Sequence, residues 1–547
     1  VALLLGATFL VQMWDFDEPW HLATGRWVLE HGSVPREDPF SFTAKGLPWH
    51  GVSWLSDVAY ALAHRAGGVA AVVVAKALVA SLAIGILGAA TLALGAELGG
   101  ALAAMLAFAV VHQGRATTAR PETWAAVLLA LTVLLVAREL RGRGRGALYA
   151  PLLTFVWTHV HTSAVVAPAV LACGLAAKLA TPERRWKRMG LVFLATAATL
   201  LLPSGRDVLL TISMHRASVS PIAMRITQEW QRPQLGAPDA IVPLVLVGLG
   251  LLGAALRWRR GRAAQDAFVA LLSILGLALW LAGDRNRTLL ALLSAPGFAL
   301  ALQAAAAGLA RQGAGLLPRV VPVLGGLAVF VAEPALGRTL RNRVLFGFGV
   351  ADRFPSDTVA VLDTLPTARV LSDFHYGGYL IWRGYPAFWD GRNVALYPDH
   401  MLRDLFIPAA SNVEGLARAQ KQWELRYALA DADGMFVDTL MASFDWAVLS
   451  VGRQSVLMVH VDQGKALREA GREPFRLLRY VGDPEWLAGY YGAILRDPSR
   501  RAALRAEVLR AVRAEGTTWL LRRILGFVVE VDRPFLDPEV AAAVGPL

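Results

Sequence analysis

Residues 1–21 read Val-Ala-Leu-Leu-Leu-Gly-Ala-Thr-Phe-Leu-Val-Gln-Met-Trp14-Asp15-Phe16-Asp17-Glu18-Pro19-Trp20-His21. An apolar run stops abruptly on three carboxylates in four positions. Ionised groups at the edge of hydrocarbon are costly unless they are solvated, paired or used. Two accounts are open. The carboxylates can end a helix at a wet interface, beside an aromatic belt of Trp14 and Trp20. They can also supply a general base, or a site for a cation, because a carboxylate held at headgroup level can take the proton of an acceptor hydroxyl while a lipid phosphate departs.

Outward from that boundary the chain is membrane-like. Of its 547 residues 55% are apolar and 18% charged, with a mean hydropathy of +0.46, well short of the charge carried by soluble proteins. Lys and Arg number 54 against 42 Asp and Glu, a net charge of +12. Many of the arginines stand in short clusters between apolar runs, which argues against nucleic acid as a partner. A single cysteine, Cys173, excludes an intramolecular disulfide and any multi-cysteine metal site.

A hydrocarbon core takes about 20 helical residues. Eleven apolar runs bounded by charge or by Pro and Gly are candidates, at 1–13, 69–94, 98–112, 122–137, 147–158, 163–180, 189–204, 239–256, 265–282, 289–309 and 320–333. The fold class expected is therefore a polytopic α-helical membrane protein of about 11 transmembrane helices. The first run reads as a transmembrane helix entered part-way, since no small-residue cleavage pattern precedes Asp15. Basic clusters at 138–145, 178–188, 257–262 and 311–319 fall on alternate turns, as expected of cytoplasmic loops. The other side then receives the long loop 14–68, the turns near 112–121, 159–161 and 283–288, the loop 205–238, and everything after about 334.

The loop 14–68 is long enough to form the floor of a site, with helical patterns at 20–31 and 53–65. At the next external turn His112, Arg115, Arg120, Pro121 and Glu122 follow in order. Pro121 and Glu122 suit the first turn of a helix, while two arginines suit a phosphate or a carboxylate. His159 and His161 could bind metal, yet they have no local acidic third ligand, and interfacial hydrogen bonding is the plainer account. Glu229 and Trp230 come from the 205–238 loop, and Asp284, Arg285, Asn286 and Arg287 from the turn that follows run nine. Because these groups share one predicted side, Arg115, Arg120, Glu122, His159, Glu229, Arg285 and Arg287 are expected to converge as substrate-binding residues.

Polar residues return in 334–547, with short β-type runs at 368–372, 378–382 and 446–459 and helical patterns at 412–430 and 496–523. This stretch is expected to be a C-terminal extracytoplasmic α/β domain, set apart from a transmembrane domain of residues 1–333 that includes the loop 14–68. Asp373 and Asp390 are secondary candidates within it.

The long first external loop with Asp17-Glu18 just after helix one, the multi-span bundle and the α/β tail resemble the GT-C superfamily of polyprenyl-phosphate-sugar-dependent glycosyltransferases. More closely, Asp15 to Trp27, Pro35 to Ser41, Arg120-Pro121-Glu122, Glu229-Trp230, and Tyr376 to Trp382 with Asp390-Gly391-Arg392 are similar to a group of bacterial multi-span proteins described only as GT-C-like. The broad resemblance spans residues 1–333 and the closer one reaches about 400. It implies a polyprenyl-phosphate-sugar donor bound from membrane lipid, an extracytoplasmic acceptor, and a setting in the bacterial inner membrane. Matching by place puts the catalytic base on Asp17 or Glu18, with Asp15 also possible, and the donor phosphate on Arg120, Arg285 and Arg287. No cofactor is required by this scheme; a divalent cation shared by Asp15 and Asp17 is its variant. The chain departs from the superfamily in having Asp-Phe-Asp-Glu followed at once by Pro19-Trp20, and it carries no identifiable acceptor motif. A non-catalytic, polyprenyl-lipid-binding envelope scaffold is the alternative. A transporter is disfavoured because the polar clusters lie at one membrane edge instead of at helix midpoints.

Overall fold

The computed structural model describes residues 1–142, 145–181, 186–218, 230–312, 316–332, 346–392, 396–463, 467 and 473–545. It divides into two compact units, one of residues 1–36 with 50–349 and one of residues 37–49 with 350–547.

The first unit is helical. Its elements are α1 (Ala2–Ala7), α2 (Glu18–His31), α3 (Trp54–Ala93), α4 (Leu98–Ala116), α5 (Pro121–Leu140), α6 (Ala150–Trp157), α7 (Val166–Leu179), α8 (Lys187–Ala198), α9 (Pro203–Ser218), α10 (Ile241–Gly261), α11 (Ala264–Ala282), α12 (Arg287–Arg311) and α13 (Leu317–Ala332). Helix α3 is broken at Gly67 and Gly68, where Gly68 takes φ 64, a backbone state that a side chain would oppose. The apolar run expected from residue 69 begins just beyond this break.

Beyond it, Ala77, Ala80, Ala83, Ile84 and Leu87 are buried while Leu78 and Leu82 are about half exposed. Small residues face the bundle and large apolar ones face outward, an order suited to lipid because it lets backbones approach where hydrocarbon offers no hydrophobic drive. The same logic closes α10 on α12: a Cβ on Gly253 would lie 2.3 Å from the Gly297 carbonyl oxygen, and one on Gly297 would lie 2.5 Å from that of Gly250.

Six helical stretches are long and apolar enough to cross a membrane: Trp54–Ala93, Pro121–Leu140, Thr162–Leu179, Pro238–Gly261, Ala264–Ala282 and Asp284–Arg311. A seventh follows if Lys187–Leu201 and Pro203–Ser213, bent by 73°, make one broken span. Two further apolar helices, Gly146–Trp157 and Pro318–Val329, are shorter. The eleven expected spans are thus not all matched by helices of membrane length among the described residues.

The second unit contains α14 (Ser356–Leu362), β1 (Val370–Ser372), α15 (Phe374–Trp382), α16 (Val413–Trp423), β2 (Tyr427–Asp431), α17 (Met435–Ala442), β3 (Trp446–Val451), β4 (Ser455–His460), α18 (Pro484–Arg496), α19 (Pro498–Glu515) and α20 (Trp519–Val531). Its sheet runs β1-β2-β4-β3. Strand β1 is parallel to β2, with Val370 beside Tyr427, and β4 is antiparallel to both β2 and β3.

Two local expectations change. The strand expected at 378–382 is the end of α15, because the Asp373 side chain accepts from His375 N and caps a helix there. The helical pattern at 412–430 divides into α16 and β2 around Glu424, which takes φ 50 and closes the helix.

Candidate active site

In the first unit the chain turns sharply at residues 14–18 to start α2, and Glu18 holds that turn. Its Oε2 accepts from the backbone N–H groups of Trp14 at 2.8 Å and Asp15 at 2.9 Å. Its Oε1 accepts from Lys76 Nζ at 3.1 Å and from Ala119 N at 2.6 Å. The Glu18 and Lys76 side chains are fully buried. Four donors satisfy the carboxylate and fasten the turn to the middle of α3 and to the residue before Arg120.

That fastening brings Asp15 and Asp17 to the start of α5. Arg120 Nη2 lies 2.9 Å from Asp17 Oδ2, and Arg120 Nη1 lies 3.4 Å from Asp15 Oδ2. Asp17 Oδ1 accepts from Trp20 Nε1 at 3.1 Å. Burial is the largest influence on Asp17 and raises its carboxyl above the ordinary value, with the Arg120 charge and the Trp20 bond pulling the other way.

Glu122, in the first turn of α5, is ringed by three arginines and a histidine. Its Oε1 is 3.7 Å from Arg115 Nη1, 3.8 Å from Arg285 Nη2 and 4.0 Å from His161 Nε2. Its Oε2 is 3.7 Å from Arg120 Nε. These separations exceed a hydrogen bond, so the charges neighbour one another without being locked together. Burial holds His161 down to about 4, so its imidazole is neutral at neutral pH. Arg285 also lies over the Trp230 ring, 4.2 Å from its centroid.

Of the residues singled out in the sequence, Asp15, Asp17, Arg115, Arg120, Glu122 and Arg285 meet in this one cluster, and Glu18 stands behind it. His159 is placed differently: its Nδ1 accepts from Trp54 Nε1 at 3.0 Å. Arg287 pairs with Asp284 at 2.9 Å and Asp239 at 3.0 Å. Glu229 lies outside the described residues. A cation shared by Asp15 and Asp17 does not fit this arrangement, since the Oδ2 atoms it would use face the Arg120 guanidinium. No group of three or more His, Cys, Asp or Glu among the described residues is placed to hold a metal ion.

Sequence reasoning missed Lys76, His21 and Asp57. The signal for Lys76 was present, a lone cation inside Val72-Val73-Val74-Ala75-Lys76-Ala77-Leu78-Val79. His21 Nδ1 and Asp57 Oδ1 are 2.7 Å apart, with both side chains almost wholly buried, and Ser53 Oγ donates to Asp57 Oδ2 at 3.1 Å. They are 36 residues apart, so no local spacing announces the pair.

The second unit has a separate buried charge network. Arg392 donates from Nε to Asp390 Oδ1 at 2.8 Å, from Nη2 to Asp390 Oδ2 at 2.7 Å and from Nη1 to Asp38 Oδ1 at 2.6 Å. The Tyr397 hydroxyl donates to Asp390 Oδ2 at 2.7 Å. Phe40 and Trp49 flank the guanidinium. Asp390 is thereby a member of a closed, satisfied network.

No family model and no curated protein matches the sequence. Solved structures do. The oligosaccharyltransferase of Archaeoglobus fulgidus in its apo form is similar at a TM-score of 0.54 and 12% identity, over 82% of this chain and 72% of that chain. The archaeal oligosaccharyltransferase AglB of the same organism, in complex with an inhibitory peptide and a dolichol-phosphate, gives 0.52 at 12% identity over the same shares. ArnT of Cupriavidus metallidurans in the apo state gives 0.50 at 14% identity, over 84% of this chain and 96% of that chain. This chain shares its fold with these oligosaccharyltransferase and ArnT structures.

Proposed function

We propose that this chain is an integral-membrane glycosyltransferase that moves a sugar from a polyprenyl-phosphate-linked donor to an extracytoplasmic acceptor, with inversion at the anomeric carbon. The observation that carries this reading is the meeting of Asp15, Asp17 and Glu122 with Arg115, Arg120 and Arg285, from three separate segments, on a GT-C fold. Of the similar proteins, AglB was solved with a dolichol-phosphate, which supports a polyprenyl lipid as the partner. We place the chain in a bacterial inner membrane, with about eleven crossings, some of them by helices shorter than a full span, and the C-terminal domain on the extracytoplasmic side.

In this scheme Asp17 takes the proton of the acceptor hydroxyl as its oxygen bonds to the anomeric carbon, and the bond from that carbon to the donor phosphate breaks with its electron pair going to phosphate. A base of this kind contributes roughly 10²–10⁴-fold. Arg120, Arg115 and Arg285 receive the phosphate charge, a task suited to guanidinium forks. Glu122 shares the same arginines, at 3.7–3.8 Å from Arg115, Arg120 and Arg285, so an arriving anion would compete with it for their charge. Glu18 we assign to holding the turn, because its oxygens already accept four hydrogen bonds. No cofactor enters these steps.

The test is transfer of labelled sugar from a polyprenyl-phosphate donor in proteoliposomes. Asp17→Asn should lower turnover by roughly 10²-fold or more while lipid binding is kept, and Arg285→Ala should weaken binding of the polyprenyl phosphate. Binding of the lipid without turnover by the unmodified protein would favour the scaffold instead.

A further inference from the structure

The buried His21–Asp57 pair is not used by the chemistry above, yet it lies against it. Asp57 belongs to the first turn of α3, where Ser53 Oγ holds one of its oxygens. Its other oxygen meets His21 Nδ1 at 2.7 Å, and a carboxylate there selects the tautomer that carries its proton on Nδ1. The backbones are brought this close by Gly25: a Cβ at that position would lie 2.1 Å from the Asp57 carbonyl oxygen. His21 in turn stacks on Trp20, with ring centroids 3.6 Å apart and planes at 29°. The Trp20 indole N–H then donates to Asp17 Oδ1 at 3.1 Å.

We infer that His21 and Asp57 are positioning residues for Asp17, acting through Trp20. Asp57, anchored in α3, fixes the His21 ring; the ring fixes the plane of the Trp20 indole; and the indole N–H aims the Asp17 carboxylate, whose other oxygen faces Arg120. The inference rests on Asp17 being the base proposed above, but the contact chain itself can be tested without turnover. A buried acid–imidazole pair costs desolvation that an apolar pair would avoid, and here that cost is spent where it orients a reacting group.

The experiment is infrared titration of the Asp17 carboxyl in reconstituted membranes, its band identified by its loss in Asp17→Asn, together with sugar-transfer kinetics against pH. Trp20→Phe keeps the stack on His21 and removes the N–H. A hydrogen bond lost from the ionised form should raise the Asp17 titration, and the acidic limb of the rate profile, by about one unit. His21→Gln keeps a donor for Asp57 but removes the flat ring, and should move Asp17 in the same direction and lower kcat about tenfold, with the KM for donor nearly unchanged. The control is His31→Gln, which removes the other Trp–His stack on the same helix, that of Trp27 with His31, and should leave the Asp17 titration in place.

An Asp17 titration unmoved in His21→Gln, or unmoved in Trp20→Phe, overturns the assignment, and so does an equal shift in His31→Gln. If the shifts occur and the unmodified protein transfers no sugar, the proposed activity falls while the positioning of Asp17 stands. If His21→Gln does not fold, Asp57→Asn, which removes the charge that fixes the His21 ring, decides in its place by the same shift.

Discussion

Removing the Lys76 ammonium would leave Glu18 ionised and buried, with three backbone N–H donors but no counter-charge. Taking away one partner of such a pair costs about 3–5 kcal/mol, so Lys76→Met should lower thermal stability sharply in detergent. Lys76→Met combined with Glu18→Gln should cost less than the single change, because the orphaned charge goes too. In the second unit, burial opposes the Asp390 charge, but Arg392 and Tyr397 outweigh it and hold the carboxyl below its ordinary value. A carboxylate whose folded pKa is depressed adds stability at pH above its unfolded value, about 3.9, and loses that contribution as the pH falls through the folded value. Acid unfolding followed by circular dichroism should therefore show Asp390→Asn flattening this low-pH loss and lowering stability at pH 7. Much of this scale was legible: Asp15, Asp17, Arg115, Arg120, Glu122 and Arg285 could be gathered by membrane side alone. His21 with Asp57, and Glu18 with Lys76, could not be paired, because a contact across 36 or 58 residues leaves no period in the chain.

At the scale of elements, small residues decide which helices can meet. The crossing of α10 with α12 depends on Gly253 and Gly297, where any Cβ would press on backbone and not on a side chain able to turn aside. Gly297→Val should cost about 1–3 kcal/mol or more, seen as a lower midpoint in thermal unfolding, whereas the same change at Gly308, with no atom near its missing Cβ, should cost only helix propensity. Apolar runs in the sequence marked most helices of the first unit, because hydrophobicity marks them directly, but not their length: the run at 1–13 is helical only over Ala2–Ala7. The errors came where a single capping or left-handed residue outweighs a pattern: Asp373 converts an apparent strand into a helix start, and Glu424 divides an apparent helix from β2.

For the whole molecule, we propose from the parity of basic clusters and loops that the second unit lies outside the cytoplasm. Alkaline phosphatase fused after residue 545 should be active in cells, and fused within 257–262 inactive; the reverse pattern would overturn the topology. Hydropathy suggested a boundary near residue 334, whereas the compact units divide at 349/350, and it gave no hint that residues 37–49 are grouped with residues 350–547, since that short segment has no period of its own and is recognised only by its partners. Asp38 accepts from Arg392, Phe42 N donates to the Ala387 carbonyl, and Ala387 N donates to that of Phe40. The consequence concerns dissection. A fragment cut at 350 would carry Arg392 without one of its two carboxylates and with Phe40 and Trp49 stripped from its faces, and should be recovered soluble only when a 37–49 peptide is supplied in trans or grafted to its N-terminus. Complementation by that peptide, abolished by Asp38→Leu within it, would show that the second unit cannot be engineered without a segment that the chain supplies about 300 residues before it.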